Sequence, residues 1–377
     1  MAESGPKYRQ VVDWVKENIE NGNLKPGDRL MSEMELSEKF GLSRQTIRHA
    51  TGELVSQQLV TRVQGSGTYI GSASALEAAA QAERPERERY MRIAVVSTFY
   101  DSYIFPPTIK GIERTLSKAG YTMQVSFTDN SIRKEGAIMG GLLENGGIDG
   151  LIVEGVKSAL PNPNLPLYRE FQKRGLPVLF FNACYPDLDA PCVRLDDSGV
   201  AERATKMLLA AGHRNIGAIL KSDDGQGRLR YAGYLKALLD AGAPLGGDRL
   251  IWIDTPDYRD LTALETYILG RLRNISAVVC YNDEVAYQVI EMALRRGMRI
   301  PDDLSLVSVD DSSLAEVSKV PFTSFPHPKE RLGRKAAENL LHMIDHPGFD
   351  GNALFDSEPV VRGSIKDFIQ EGEKTHA

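Results

Sequence analysis

The sequence predicts an α/β protein in two parts: a small helical module with a β-hairpin, then doubly wound parallel sheets arranged as two lobes. Three observations carry this. Apolar residues recur at spacings of three and four through residues 7–57, and a glycine-rich hairpin signal closes that stretch. From Met91 onward, continuous apolar strand runs alternate with amphipathic helices. A chain of 377 residues, 42% hydrophobic and 25% charged, has the length of two or three domains and the composition of a soluble globular protein.

The formal net charge is -6, so nothing global advertises a polyanionic partner. The local balance differs. Between Lys39 and Tyr69, four basic residues (Lys39, Arg44, Arg48, Arg62) face one acidic residue, Glu53. A small basic face on an acidic protein favours a specific contact over non-specific coating. Cys184, Cys192 and Cys280 show neither metal-ligand spacing nor a disulfide framework; Cys184 and Cys192 are close enough in sequence to pair, but free thiols of a cytoplasmic protein are expected. Residues 1–6 are short and polar, without a signal-peptide pattern, and no apolar run approaches twenty residues. The expected location is cytoplasmic, with no metal, cofactor or membrane.

In the first part, Tyr8, Val11, Val12, Val15 and Ile19 mark a helix over residues 7–21 that Asn21-Gly22 stops. The Pro26-Gly27 pair makes a turn. Ser32 with Glu35 forms a capping-box pattern, and Met34, Leu36 and Phe40 give that second helix its apolar side. Gly41 closes it, Ser43 caps the next helix, and Arg44 to Gln57 runs on with Ile47, Ala50, Leu54 and Val55 inward. Strand-like pieces at 59–63 and 68–70 flank Gln64-Gly-Ser-Gly67, a tip where backbone can approach a ligand closely. Arg44, Gln45 and Arg48 thus stand on the first turns of a helix after a tight turn. Arg and Gln can pair with guanine and adenine edges, and this placement is how a helix-turn-helix reads a major groove.

Helix, helix, recognition helix and wing describe a winged helix-turn-helix over residues 1–71. The runs Phe40-Gly-Leu-Ser-Arg-Gln-Thr-Ile-Arg48 and Gln64-Gly-Ser-Gly-Thr68 resemble the GntR family of bacterial repressors. That resemblance implies that Arg44, Gln45, Thr46 and Arg48 contact bases and phosphates. It also implies that Gln64, Gly65, Ser66, Gly67 and Thr68 enter or straddle the minor groove, and that Lys7 and Tyr8 touch the DNA backbone. Met31 stands where the family usually has proline. Residues 72–90, rich in Ala, Glu and Arg without a periodic apolar face, read as a linker.

Residues 91–377 carry strand runs at 93–97, 122–126, 150–153, 178–181, 216–220, 277–280 and 305–309, with helices between them such as 109–119, 166–174, 199–211 and 284–296. Two lobes are expected, one of about residues 91–196 and 328–352, the other of about 197–327 and 353–368. A ligand would bind in the crevice outside the C-terminal strand ends. Polar and aromatic residues gather there: Tyr103, Ile104, Phe105, Glu154, Lys157, Asn182, Asp224, Gln226, Arg230, Tyr281, Asn282 and Asp310 are the candidates for holding an effector. Carboxylates, amides and an arginine interleaved with aromatic rings suit a polyhydroxylated ligand, because each hydroxyl both donates and accepts.

The runs Ile148-Asp-Gly-Leu-Ile-Val-Glu154, Val279-Cys-Tyr-Asn-Asp-Glu-Val-Ala286 and Ile300 to Asp311 resemble the LacI/GalR effector domains, which share the periplasmic-binding-protein fold. The resemblance implies sugar contacts from Asn282, Asp310 and Arg230; Val309 stands where the family commonly has tyrosine. A GntR reader joined to such a sensor is similar to the family of arabinose repressors of Gram-positive bacteria, on the runs at residues 100–106, 154–160, 223–227 and 280–284. It implies a homodimeric repressor that binds double-stranded operator DNA and is released by L-arabinose. The residues themselves say only "small polyol", so another pentose or hexose is the alternative effector. An enzyme is disfavoured. No Gly-x-Gly-x-x-Gly after a strand, phosphate loop or nucleophile elbow occurs, His213 and His327 read as turn or packing residues, and Asp310-Asp311 would point to opposite sides if extended. A winged helix used only for protein contact is disfavoured by the local basic balance.

Overall fold

The computed structural model describes residues 7–63, 67–71, 89–100 and 104–369. Gln64, Gly65, Ser66 and Tyr103 lie outside these residues, as do residues 72–88 of the expected linker. The chain forms two compact units, residues 1–88 and 89–377.

The first unit has helices α1 (Arg9–Glu20), α2 (Glu33–Phe40) and α3 (Arg44–Ser56), and an antiparallel hairpin of β1 (Val60–Val63) and β2 (Gly67–Ile70). Val11 and Val15 of α1, Leu36 of α2, and Ile47, Ala50 and Leu54 of α3 meet Val60 and Ile70 in one core. The sequence's cap signals form as chemistry dictates. The Ser32 side chain accepts from the Glu35 amide while the Glu35 carboxylate accepts from the Ser32 amide, Gly41 takes the left-handed conformation at φ 62°, and Ser43 accepts from the Thr46 amide. Two inward assignments fail: Met34 is 54% and Val55 38% exposed. Thr51 fills the place expected of Val55, its hydroxyl made tolerable in the core by donating to the Ile47 carbonyl at 2.8 Å. The segment expected only as a turn also pairs with the wing, since Leu30 N donates to Thr68 O and Ile70 N to Asp28 O.

In the second unit the first lobe contains β3 (Arg92–Ser97), α4 (Phe105–Lys118), β4 (Thr122–Phe127), α5 (Ile132–Asn145), β5 (Gly150–Val153), α6 (Leu165–Lys173), β6 (Val178–Phe181) and β7 (Cys192–Leu195). The second lobe contains α7 (Asp197–Ala210), β8 (Ile216–Lys221), α8 (Gly225–Asp240), β9 (Leu250–Ile253), α9 (Thr255–Arg259), α10 (Glu265–Leu272), β10 (Ala277–Cys280), α11 (Asp283–Arg295), β11 (Ser305–Asp310), α12 (Ser313–Val317) and β12 (Thr323–Pro326). The chain then returns to the first lobe with α13 (Lys329–Asp345) and β13 (Ala353–Phe355). Both sheets are parallel throughout, in the orders β13-β7-β6-β5-β3-β4 and β12-β11-β10-β8-β9.

Because β13 pairs with β7, residues 353–355 belong to the first lobe, and the last crossover falls after Phe355 instead of at residue 353. Beyond it, Val360 pairs with Ser324 of the second lobe. The strands absent from the sequence reading are β7, β9, β12 and β13. Three of these are sheet edges, where one side needs no apolar cover: Trp252 in β9 and Leu354 in β13 are exposed, and β12 is largely Thr, Ser and Pro.

Glycines fix one helix pair in each lobe. A Cβ on Gly111 of α4 would lie 2.3 Å from the Glu330 carbonyl of α13, and one on Gly333 would lie 2.0 Å from the Thr108 carbonyl. In the second lobe, a Cβ on Gly233 of α8 would lie 1.9 Å from the Ser198 carbonyl of α7. Backbones therefore touch directly at both places.

Candidate functional site

On the first unit, Arg44, Gln45 and Arg48 project from the opening turns of α3 and are exposed. Thr46 is half-buried and its hydroxyl bonds Ser43, so it serves the cap as well as the surface. Glu33 lies between two guanidiniums, 3.4 Å from Arg48 and 3.4 Å from Arg62, and Arg62 also donates to Thr51. Lys7 is exposed, while Tyr8 is half-buried with its ring edge-on to His49 at 4.5 Å. At the wing, Gly67 has φ 141°, and a Cβ there would come within 2.9 Å of the Arg29 guanidinium. Arg29 and Arg62 belong to the same basic surface; Arg62 entered the local charge balance, but neither was among the residues expected to touch DNA.

In the second unit the carboxyl ends of both sheets face one cleft. Ten candidates line it: Ile104, Phe105, Glu154, Asn182, Asp224, Gln226, Arg230, Tyr281, Asn282 and Asp310. Lys157 sits instead in a neighbouring hollow, its ammonium 3.6 Å from Asp223. Thr98, Phe99, Asn130, Asp197, Lys221, Tyr258 and His327 also line the cleft and were not predicted.

Glu154 is held at the end of β5 by the Thr98 amide at 3.0 Å, the Thr98 hydroxyl, and Asn182 Nδ2 at 3.0 Å. Burial raises its carboxyl pKa above the usual range, against the pull of those donors and of Lys221. Asn182 (φ 58°) and Asp310 (φ 109°) both adopt left-handed backbone at strand ends, a conformation that costs about 1–3 kcal/mol and is held in place by the surrounding structure.

Arg230 is followed three residues on by Gly233, and the two act together. Gly233 lets α8 lie against α7, and Arg230 then reaches Asp197 at 2.8 Å, with Asp310 at 3.9 Å and the Tyr281 carbonyl accepting from Nη1. Burial works against this guanidinium's charge, yet Asp197 and Asp310 outweigh it and raise its pKa. Lys221, the last residue of β8, is likewise buried but held protonated by Asp224 at 3.1 Å and Asp223 at 3.5 Å. Both cations lining the cleft are therefore already paired.

The Asn282-Asp283 and Asp310-Asp311 pairs each divide their labour. Asn282 faces the cleft, caps α11 and donates to the Tyr258 hydroxyl at 2.9 Å, while Asp283 turns behind it to accept from Ser312 N and the Ser324 hydroxyl. Asp310 faces the cleft and Asp311 pairs with Arg362 at 2.8 Å. The separation comes from left-handed backbone at both aspartates, not from the extended geometry expected. His213 is a packing residue, bonded to Ser276 and the Lys366 carbonyl. His327 is not. It lines the cleft, its Nε2 meets Asn182 Oδ1 at 3.1 Å, and burial, then Arg230 and Lys329, push its pKa down to about 3. Its Nδ1 and Gln226 Oε1 are buried without a hydrogen-bond partner among the described residues. The cleft thus combines paired charges, open neutral acceptors and the rings of Phe99, Phe105, Tyr258 and Tyr281. Among the described residues, no three His, Cys, Asp or Glu side chains gather to hold a metal ion, and no helix is long and apolar enough to cross a membrane.

An exposed basic helix with a wing, and a second unit with a polar cleft at its strand ends, define a DNA-binding regulator with a small-molecule sensor. Residues 7–70 match bacterial regulatory proteins of the gntR family, and residues 205–365 match the periplasmic binding protein-like domain. The arabinose metabolism transcriptional repressor of Geobacillus stearothermophilus is 32% identical, with 96% of this chain and 98% of that protein covered. The repressor of the same name from Halalkalibacterium halodurans is 33% identical over 97% of this chain and 98% of its own. Among solved structures, the transcriptional regulator CelR–cellobiose complex shares the fold at TM-score 0.65 and 23% identity, covering 89% of this chain and 100% of that one. The chain belongs to the family of arabinose metabolism transcriptional repressors.

Proposed function

We propose that this chain is an L-arabinose-responsive repressor that holds operator DNA as a homodimer in the cytoplasm and lets go when the sugar occupies the cleft. The observation that carries the effector reading is the cleft's charge state. With Arg230 and Lys221 already bonded to carboxylates, an anionic ligand finds no open cation among the described residues there, whereas Gln226 Oε1 and His327 Nδ1 can accept from hydroxyls of a neutral polyol. The full-length relatives' names supply arabinose as the polyol to test. Aromatic faces would cover the C–H side of the ring.

On the DNA side, Arg44, Gln45, Thr46 and Arg48 would read bases and phosphates, Lys7 and Tyr8 would touch the backbone, and residues 64–68 would meet the minor groove. A dimer would place two such units on a near-palindromic site. Sugar would draw the lobes together and disfavour the DNA-competent spacing; by linkage, DNA must weaken sugar binding by the same factor.

The test is calorimetric titration of the full chain with L-arabinose, galactose, xylose and ribose, followed by operator titration with and without the sugar that binds. Saturable binding selective for arabinose, with operator affinity lowered at least fivefold in its presence, is expected. Selective binding of another sugar would replace the effector. Equal operator affinity with and without saturating sugar would remove the induction claim.

A further inference from the structure

At the rim of the cleft the two lobes are tied to each other directly. Asn130, after β4, and Lys157 and Ser158, after β5, belong to the first lobe; Asp223 and Gly225, after β8, and Thr255, after β9, belong to the second. The Lys157 amide donates to Asn130 Oδ1 at 2.8 Å, and Asn130 Nδ2 donates across to the Thr255 hydroxyl at 2.7 Å. That hydroxyl donates to Asp223 Oδ2 at 2.6 Å, joined there by the Thr255 amide at 3.2 Å. The Lys157 ammonium, 3.6 Å from the same oxygen, closes the ring. Beside it the Gly225 amide donates to the Ser158 hydroxyl at 2.9 Å. Asn130, Ser158, Asp223 and Thr255 are all buried, and both Asn130 (φ 54°) and Lys157 (φ 42°) hold left-handed backbone to meet across the rim.

Of these residues only Asn130 lines the cleft; Ser158, Asp223 and Thr255 do not. We propose that the rim is an interlobe latch: Ser158 and Thr255 set how tightly the effector is held without choosing which effector it is. Three contacts cross between the lobes: Asn130 to Thr255, Lys157 to Asp223 and Gly225 to Ser158. They exist only while the lobes are together, so they raise the fraction of sugar-free protein already in the binding-competent arrangement, and apparent affinity scales with that fraction. Choice among sugars stays with the side chains that line the cavity. The effect on affinity rests on the reading of the cleft as a sugar site; the latch itself does not.

The experiment uses the full chain with Thr255→Val and Ser158→Ala, and Thr255→Ser as the variant that keeps the hydroxyl. Each of the first two is expected to raise the dissociation constant for L-arabinose about tenfold, the ordinary worth of one such bond. The ratio of arabinose to xylose affinity should stay at the wild-type value, and Thr255→Ser should restore both. In sugar-free protein the Gly225 amide, whose bond to Ser158 crosses between the lobes, should exchange hydrogen faster in both Thr255→Val and Ser158→Ala. Unchanged exchange at the Gly225 amide in Thr255→Val would overturn the latch, as would a shifted arabinose-to-xylose ratio, which would place these residues at the sugar. If the wild type binds no arabinose, the effector reading falls while the exchange comparison still decides the latch.

Discussion

In the first unit the residues poised for recognition, Arg44, Gln45 and Arg48, stand exposed on a helix of ordinary backbone. In the second, Glu154, Arg230 and Asp310 are at most 4% exposed and locked into ion pairs and hydrogen bonds, and Asp310 ends its strand in left-handed backbone. The contrast follows from what each unit must recognise. A polyanion brings its own field, and exposed guanidiniums find it through water. A neutral polyol offers only hydroxyl geometry, so its site must exclude water and hold donors and acceptors in place before the ligand arrives. Surface placement costs the fold little, whereas a buried charged site depends on every partner being present.

That difference can be broken or sharpened by substitution, ranked by effect on stability. Arg230→Met would leave Asp197 and Asp310 buried beside an apolar side chain. A loss of about 3–5 kcal/mol is expected for the sensor unit in urea unfolding, and a loss below about 1 kcal/mol would show that its charges are not interdependent. His327 comes next. Its folded form stays neutral down to about pH 3, while the unfolded chain takes up a proton near pH 6.5. The unfolded state therefore binds more protons in that window, and stability must fall as pH drops through it, by about 1.4 kcal/mol per pH unit. Comparison of unfolding at pH 6.5 and pH 5 should show this component in the wild type and its absence in His327→Gln. Smallest is the Arg44→Ala, Arg48→Ala double variant, expected to change stability by no more than about 0.5 kcal/mol. In gel-shift titration the same variant should lose about 1–3 kcal/mol of operator binding per arginine while sugar affinity stays at the wild-type value.

The same contrast governs what could be read in the sequence. Caps and turns are local, so Ser32, Gly41 and Ser43 announced the reader's helices within a residue or two of their observed ends. Much of the sensor's site was legible beside plainly apolar strands: Glu154, Asn182, Tyr281 and Asp310 follow or end such runs, although Thr98, Phe99 and Asn130 follow them too and were not singled out. Three further unread members follow strands that do not stand out. Asp197 comes after β7, Tyr258 after β9 and His327 after β12, short or edge strands without a continuous apolar stretch. Lys221 escaped for another reason. It occupies the last position of an apolar strand, where only its pairing with Asp223 and Asp224 makes burial tolerable, and those partners converge on it only in the folded lobe.

The glycine contacts at Gly111, Gly333 and Gly233 have a mechanical consequence. Two chain crossings enter the helices that these glycines clamp: Asp196 leads into α7, and His327-Pro328 into α13. At these glycines backbone meets backbone, so no side chain lies between the helices there to slip and absorb a displacement. Each lobe is therefore stiff where the crossings enter it, and the soft coordinate of the sensor is rotation about the three connecting segments, as in a hinge with rigid leaves. A methyl group added at Gly111 or Gly333 would strike at the leaf of the first lobe and spare the pivot, whereas one at Gly233 would also pull Arg230 away from Asp197.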